Sequence, residues 1–174
     1  MRTRPLNNVL LAVVMSACAG MTLPTPGSPG GGGSTSSGGV TTASSSVAAA
    51  VIAATNQQRA RNGLPALATS AKLMDAALLQ AKQMAQYQKL SHEITGAPYP
   101  NLAARLQAVG YVYRDAAENI AWNQPDAEAV LASWMSSSGH RANILDPSLT
   151  QIGAAMARSS KGEPYWIQVF GTPR

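Results

Sequence analysis

The sequence has 174 residues, with 13 Lys and Arg, 8 Asp and Glu and one cysteine. This length allows one domain of ordinary size, and a lone cysteine excludes an internal disulfide, so the domain must be held by its core. The basic residues are scattered, which excludes the clustered charge of a nucleic-acid-binding surface.

The first 18 residues have the order of an export signal. Arg2 and Arg4 precede an apolar run at residues 9–15, too short to span a bilayer, and small residues follow it. The segment Met15-Ser16-Ala17-Cys18 resembles the lipobox of bacterial lipoproteins, with Met where Leu is usual. The resemblance implies that Cys18 is lipidated and becomes the N-terminus of a membrane-anchored protein. The alternative is an ordinary secretory signal cut nearby, which leaves a free thiol.

Removal of this signal also changes the charge. Without Arg2 and Arg4, 11 basic residues remain against 8 acidic ones, a net charge of +3. Ala19 provides no acid for inner-membrane retention, so the same lipoprotein resemblance implies the outer membrane or periplasm of a bacterial envelope.

Residues 19–45 are rich in Gly, Ser and Pro, and cannot bury enough apolar surface to offset the entropy of ordering. We predict a linker over 19–45 and a folded domain over 46–174.

The domain begins with helical patterns and ends with strands. We predict helices over 47–62, 71–89 and 101–109, with Ser70 as the N-cap of the second. A fourth helix starts after Asp126 and ends near Gly139, and His140 to Leu145 can form one further turn. Extended segments are predicted over 111–114, 118–122, 151–158 and 165–171. This order predicts an α+β fold with an antiparallel sheet.

Six short motifs in this order resemble the CAP superfamily of cysteine-rich secretory, antigen 5 and pathogenesis-related 1 proteins, and most of all its bacterial members with an SCP domain. The motifs are Asn56-x-x-Arg59-x-x-x-Gly63, Ser91-His92, Glu118-Asn119-Ile120-Ala121, Trp134-Met135-x-Ser137-x-Gly139-His140-Arg141-x-Asn143-Ile144-Leu145, Ile152-Gly153 and Tyr165-Trp166-x-Gln168-x-Phe170-Gly171. The resemblance implies an α-β-α sandwich with a sheet between helical layers.

The resemblance also implies a cleft that carries two histidines and two acids. His92 and His140 match the histidines, and Glu118 matches one acid; the other acid falls at Ser137 and is absent. Two imidazoles and one carboxylate are a suitable ligand set for Zn²⁺. Each residue also has a structural interpretation: Glu118 as a buried acid bonded to backbone N–H groups, His140 as a helix-end residue, and His92 as a solvent-facing side chain.

Three functions stay open at this point. The first is a lipid-anchored binding module whose His/Glu cleft takes a small molecule, lipid or envelope component, with or without a divalent metal. The second is a metal-dependent hydrolase with Glu118 as base. The third is a structural or interaction protein of the envelope. A Ser–His nucleophile beside His140 is disfavoured, because no orienting acid is evident.

Overall fold

The computed structural model describes residues 39–174, with side chains from residue 46. Five helices and four strands follow one another along this part of the chain. They are α1 (Gly39–Arg61), β1 (Ala68–Thr69), α2 (Ala71–Tyr87), α3 (Leu102–Ala108), β2 (Tyr113–Trp122), α4 (Ala127–Ser136), α5 (Ser138–Ile144), β3 (Gln151–Arg158) and β4 (Pro164–Pro173).

The strands form one sheet in the order β1-β3-β4-β2. β4 pairs antiparallel with β2 and with β3, and the two-residue β1 pairs parallel with β3. The sheet is therefore antiparallel over its long strands and mixed overall. A tight turn after Arg158 joins β3 to β4, and Gly162 there has a φ of 81°.

The sheet lies between two helical layers, as the α-β-α sandwich requires. On one face, α2 and α3 bury Leu73, Met84 and Leu106 against alternate residues of the strands. On the other face, α1, α4 and α5 bury Val51, Trp134 and further apolar side chains. Because side chains alternate between the faces of a strand, neighbouring residues of β2 and β4 enter different cores.

Most predicted elements are present close to the predicted bounds. Ser70 caps α2 and Asp126 caps α4, each through a side chain that accepts a backbone N–H. The two extended segments before Trp122 are one strand, β2, and the predicted further turn at His140 is part of a separate short helix, α5. The strand β1 was not predicted, because two residues carry no readable periodicity.

The first helix begins at Gly39, inside the segment predicted as a linker. Residues 40–46 contain no Gly or Pro, so they can extend a helix that the packed residues after them nucleate. The signal, Cys18 and linker residues 19–38 lie outside the described residues. Within residues 39–174, no helix is long and apolar enough to cross a membrane.

Candidate functional site

β2 carries the Glu118-Asn119 pair at the centre of the site. It is an edge strand of the sheet, and the two side chains project to opposite faces. Glu118 lies on the face covered by α2 and α3, whereas Asn119 lies on the face covered by α1, α4 and α5. Two adjacent residues therefore organise two different buried polar clusters.

The carboxylate of Glu118 is held by two side chains. Oε1 lies 2.8 Å from Nδ1 of His92, and Oε2 accepts a hydrogen bond of 2.8 Å from Nη2 of Arg105. The three side chains are at most 4% exposed. A carboxylate can only accept hydrogen bonds, so Nδ1 of His92 donates the proton. Glu118 thus fixes both the ring orientation and the tautomer of His92.

Buried side chains also fix the loop that carries His92. Gln80 of α2 donates to the carbonyl of Ser91 at 2.6 Å. Gln83, one turn later, exchanges two hydrogen bonds of 3.0 Å with the backbone of Tyr99. Arg105 adds contacts of 3.3 Å to the carbonyls of His92 and Tyr99. His92 is therefore held at its backbone as well as at its ring.

On the opposite face, a chain of amides links two helices, α1 and α5, to the sheet. Asn119 Nδ2 donates to the carbonyl of His140 at 3.1 Å and to Gln168 Oε1 at 3.2 Å. Gln168, the cross-strand partner of Asn119, donates to the hydroxyl of Thr55 on α1. Asn143 donates to Asn119 Oδ1 at 2.9 Å. This network fixes α5, and with it His140, against β2.

The free edge of β2 is closed by α4 and α5. Asn143 Nδ2 donates to the carbonyl of Glu118 at 3.3 Å, and Trp134 Nε1 donates to the carbonyl of Ile120 at 3.1 Å. Carbonyls two residues apart point to the same side of a strand, so both bonds lie along one edge. The bonds satisfy acceptors that an edge strand would otherwise leave open.

The structure brings His92 and Glu118 into direct contact and places the backbone of His140 against Asn119. All three predicted site residues are buried, His140 at 5% exposure. The solvent-facing interpretation of His92 is wrong. Glu118 is a buried acid, but its partners are an arginine and a histidine rather than backbone N–H groups.

The predicted Zn²⁺ ligand set does not fit this arrangement. Both carboxylate oxygens of Glu118 already have partners, and one partner is a cation. Among residues 39–174, no group of three or more His, Cys, Asp or Glu side chains could hold a metal ion. Ser137 stands where the resemblance places the second acid, at the cap between α4 and α5, and its side chain makes no capping bond.

Sequence reasoning missed Arg105 as a site residue. It lies on α3 in a run of alanines and leucines, and it belongs to none of the six motifs. A cation in an otherwise apolar helical stripe was the available signal, because a buried charge requires a partner.

Arg59 was recognised only as a motif position. Its guanidinium is fully buried and donates to the carbonyls of Pro65, Ile144, Asp146 and Leu149 at 2.8–3.4 Å. Burial lowers the pKa of Arg59 from its ordinary value, and the charge of Asp146 opposes this effect. Arg59 joins the end of α1 to the chain between α5 and β3, and so supports the site without touching it.

Comparisons with known proteins agree with this architecture. Residues 52–170 match the profile of the cysteine-rich secretory protein family, CAP. The chain is 34% identical over 117 residues to the uncharacterized protein YkwD of Bacillus subtilis, a match that covers 66% of this chain and 43% of that protein. It therefore spans less than half the length of this relative.

Solved structures show the same fold. An extracellular protein with an SCP domain from Bacillus anthracis superposes with a TM-score of 0.69 at 27% identity, covering 81% of this chain and 45% of that one. An outer surface protein of Borrelia burgdorferi superposes with a TM-score of 0.65 at 15% identity, covering 71% of this chain and 90% of that one.

Proposed function

Because the chain belongs to the CAP family, we propose that it is an exported, lipid-anchored binding module, and that its site around His92 and His140 takes a small molecule, lipid or envelope component. The observation that carries the proposal is the state of Glu118, whose two carboxylate oxygens are both engaged. A residue held in this way serves to position other groups.

The same geometry disfavours the hydrolase alternative. A general base must reach the proton that it removes, and Glu118 is paired with Arg105 and buried. In a hydrolase that uses Glu118 as base, Glu118→Gln would abolish turnover and leave the domain folded. The structure instead predicts that this substitution destabilises the domain, because it leaves a buried guanidinium without its counter-ion.

A preorganised site favours binding. The Arg105 charge compensates that of Glu118, so the pair adds no net charge beside the His92 imidazole. The buried bonds from Gln80, Gln83 and Asn119 hold the backbone that carries His92 and His140 before a ligand arrives, which lowers the entropy cost of binding.

Export and anchoring are supported by the N-terminal sequence and by the relatives. The Bacillus anthracis protein is described as extracellular and the Borrelia protein as an outer surface protein. The run at residues 9–15 followed by Cys18 supports the same location for this chain. We expect Cys18→Ser to shift the protein from the membrane fraction to a soluble or uncleaved form. Unchanged membrane association with the signal removed would contradict the anchor.

Native mass spectrometry of the protein released from its own envelope tests the binding role. We expect a bound mass that is lost in His92→Ala and retained in Arg61→Ala, a control in the exposed end of α1. Titration with ZnCl₂ should give no one-to-one site. A one-to-one Zn²⁺ site with hydrolysis that depends on His92 would contradict the proposal.

A further inference from the structure

The end of the sheet that carries the β3–β4 turn presents exposed aromatic side chains. Tyr87 and Trp122 are each 42% exposed, and they are two of the three large hydrophobic residues exposed in the described part of the chain. Gln88 Nε2 lies 3.4 Å from Ser160 Oγ, which places the end of α2 beside the turn. Trp122 pairs with Tyr165 of β4, with ring centroids 6.4 Å apart. One face of the Trp122 indole is thus supported while the rest meets solvent.

Basic side chains lie in the chain segments at this end of the sheet. Lys89 follows Gln88, and Arg158 and Lys161 flank Ser160; all three are exposed. We call this surface the hairpin end, defined by Tyr87, Lys89, Trp122, Arg158 and Lys161.

On the α2 side of the hairpin end, one exposed acid, Glu93, follows Lys89 by four residues in the loop after α2. Glu163 is half-buried and accepts a hydrogen bond of 3.1 Å from Ser159. Asp126 and Glu128 belong to the start of α4, which packs on the opposite face of the sheet.

The direction of α1 brings the N-terminal chain to this same end. Near the C-terminus of α1, Arg59 bonds to the carbonyl of Leu149, just before β3. Earlier in the helix, Thr55 contacts Gln168, whose neighbour on β3 is Ala154. α1 therefore runs from the hairpin end towards the start of β3.

Lengths show that α1 extends past the sheet. The residues between Gly39 and Thr55 span about 24 Å of helix. The four steps of β3 from Ala154 to Arg158 span about 13 Å. The N-terminus of α1 at Gly39 thus lies beyond the hairpin end, and the apolar run and Cys18 precede it in the sequence.

We propose that the hairpin end is a docking surface for an anionic phospholipid bilayer. Trp and Tyr favour the membrane–water interface, and Lys and Arg are attracted to anionic headgroups. The preceding chain would hold this end towards the bilayer and raise the local concentration of lipid. The inference uses the export part of the proposed function and is independent of the ligand site.

Tryptophan fluorescence gives a local test. The chain has three tryptophans, and Trp134 and Trp166 are at most 2% exposed, so a blue shift on docking reports Trp122. We would use the full chain with Cys18→Ser and vesicles of phosphatidylcholine with phosphatidylglycerol, with bromine on the acyl chains near the headgroup. We expect a blue shift and quenching, both absent in Trp122→Phe.

Two triple variants with equal charge change provide the comparison. K89E/R158E/K161E should lower the partition coefficient and the quenching at least about tenfold. R61E/K72E/R174E, at the opposite end, should keep the quenching within about twofold. The apolar run at residues 9–15 is common to both, and emission from the buried tryptophans reports folding.

Equal quenching in the two triple variants, or no quenching of Trp122 in the parent, would overturn the docking surface. If Cys18→Ser leaves membrane association unchanged while Trp122 is quenched, the docking surface is supported and the lipid anchor is contradicted. If the Cys18 anchor and a bound ligand are both found but Trp122 is not quenched, only the proposal of a docking surface is contradicted.

Discussion

The carboxylate of Glu118 is buried beside an arginine that is itself fully buried, so each charge depends on the other. Arg105→Met removes the cation and leaves Glu118 with His92 alone. We expect the free energy of unfolding to fall by about 3–5 kcal/mol, because an uncompensated buried charge remains. Urea unfolding followed by circular dichroism measures this loss.

An exposed pair provides the matched control. Arg114 Nε lies 2.9 Å from Asp115, but the side chains are 64% and 44% exposed. Arg114→Met should therefore cost less than about 1 kcal/mol. In the double variant Arg105→Met/Glu118→Gln, the two losses should not add, since the second change removes the charge that the first left unpaired. Additive losses would show that the pair is not coupled.

Two buried tyrosines predict a loss of stability at alkaline pH. Burial raises the pKa of Tyr111 above 10.0. Burial, and to a smaller extent the negative charge of Glu163, also raises the pKa of Tyr165. A group whose pKa is raised on folding stabilises the fold below its unfolded pKa, and that contribution is lost as the pH rises through the folded value.

We expect Tyr111→Phe to lose less stability than the parent between about pH 9 and about pH 11. Tyr111 also donates to Gln151 at 3.0 Å, a contribution present at both pH values that largely cancels in the difference. Urea unfolding at each pH measures the loss of stability, and Tyr87→Phe is the control for the loss of one phenol. The same alkaline loss in Tyr111→Phe would contradict the assignment.

At the scale of elements, Gly153 sets how closely α2 approaches β3. A Cβ there would lie 2.1 Å from the carbonyl carbon of Leu73 and 2.3 Å from the nitrogen of Met74. Gly153→Ala must push backbone apart, so we expect a cost of about 1–3 kcal/mol or more in urea unfolding. Gly171→Ala meets the buried ring of Tyr111 at 2.7 Å, a side chain where Gly153 faces backbone, and should cost less. An equal or smaller cost for Gly153→Ala would contradict the close packing.

Elements with a strong local signal were predictable from the sequence. The stripe of α2, the caps Ser70 and Asp126, and the strand β3 follow from periodicity and capping chemistry. The start of α1 could not be predicted, because the Ser, Thr and Ala residues after Gly39 are compatible with a flexible chain and with a helix. The order of strands in the sheet depends on long-range pairing, which no local pattern encodes.

The site was predictable in part. The only two histidines and Glu118 were selected by their motifs, and the contact of His92 with Glu118 is confirmed. The burial of the two histidines and the role of Arg105 were missed. Arg105 lies 13 residues before Glu118 and is joined to it only by the packing of α3 on the sheet.

At the scale of the whole molecule, α1 connects the N-terminal chain to the domain. Among the side chains of α1 that the structure describes, the first buried one is Ala48, followed by Val51 and Ile52. Thr55 then accepts a hydrogen bond from Gln168 of the sheet, and Arg59 donates one to the carbonyl of Ile144 at the end of α5. The boundary at residue 46 stays a prediction, since α1 begins before it, and truncation can test it.

Deletion of residues 1–45 removes the first turns of α1 but no side chain of the described core. We expect a cooperative transition with a melting temperature within a few degrees of that of the full chain. Deletion of residues 1–52 also removes Ala48, Val51 and Ile52. Burial of Val and Ile contributes about 1.5–3 kcal/mol each, so this second deletion should lower the melting temperature by on the order of 10 °C or more. Calorimetry of the three chains measures both effects. A large loss already at residue 45 would place the N-terminal turns of α1 within the cooperative domain.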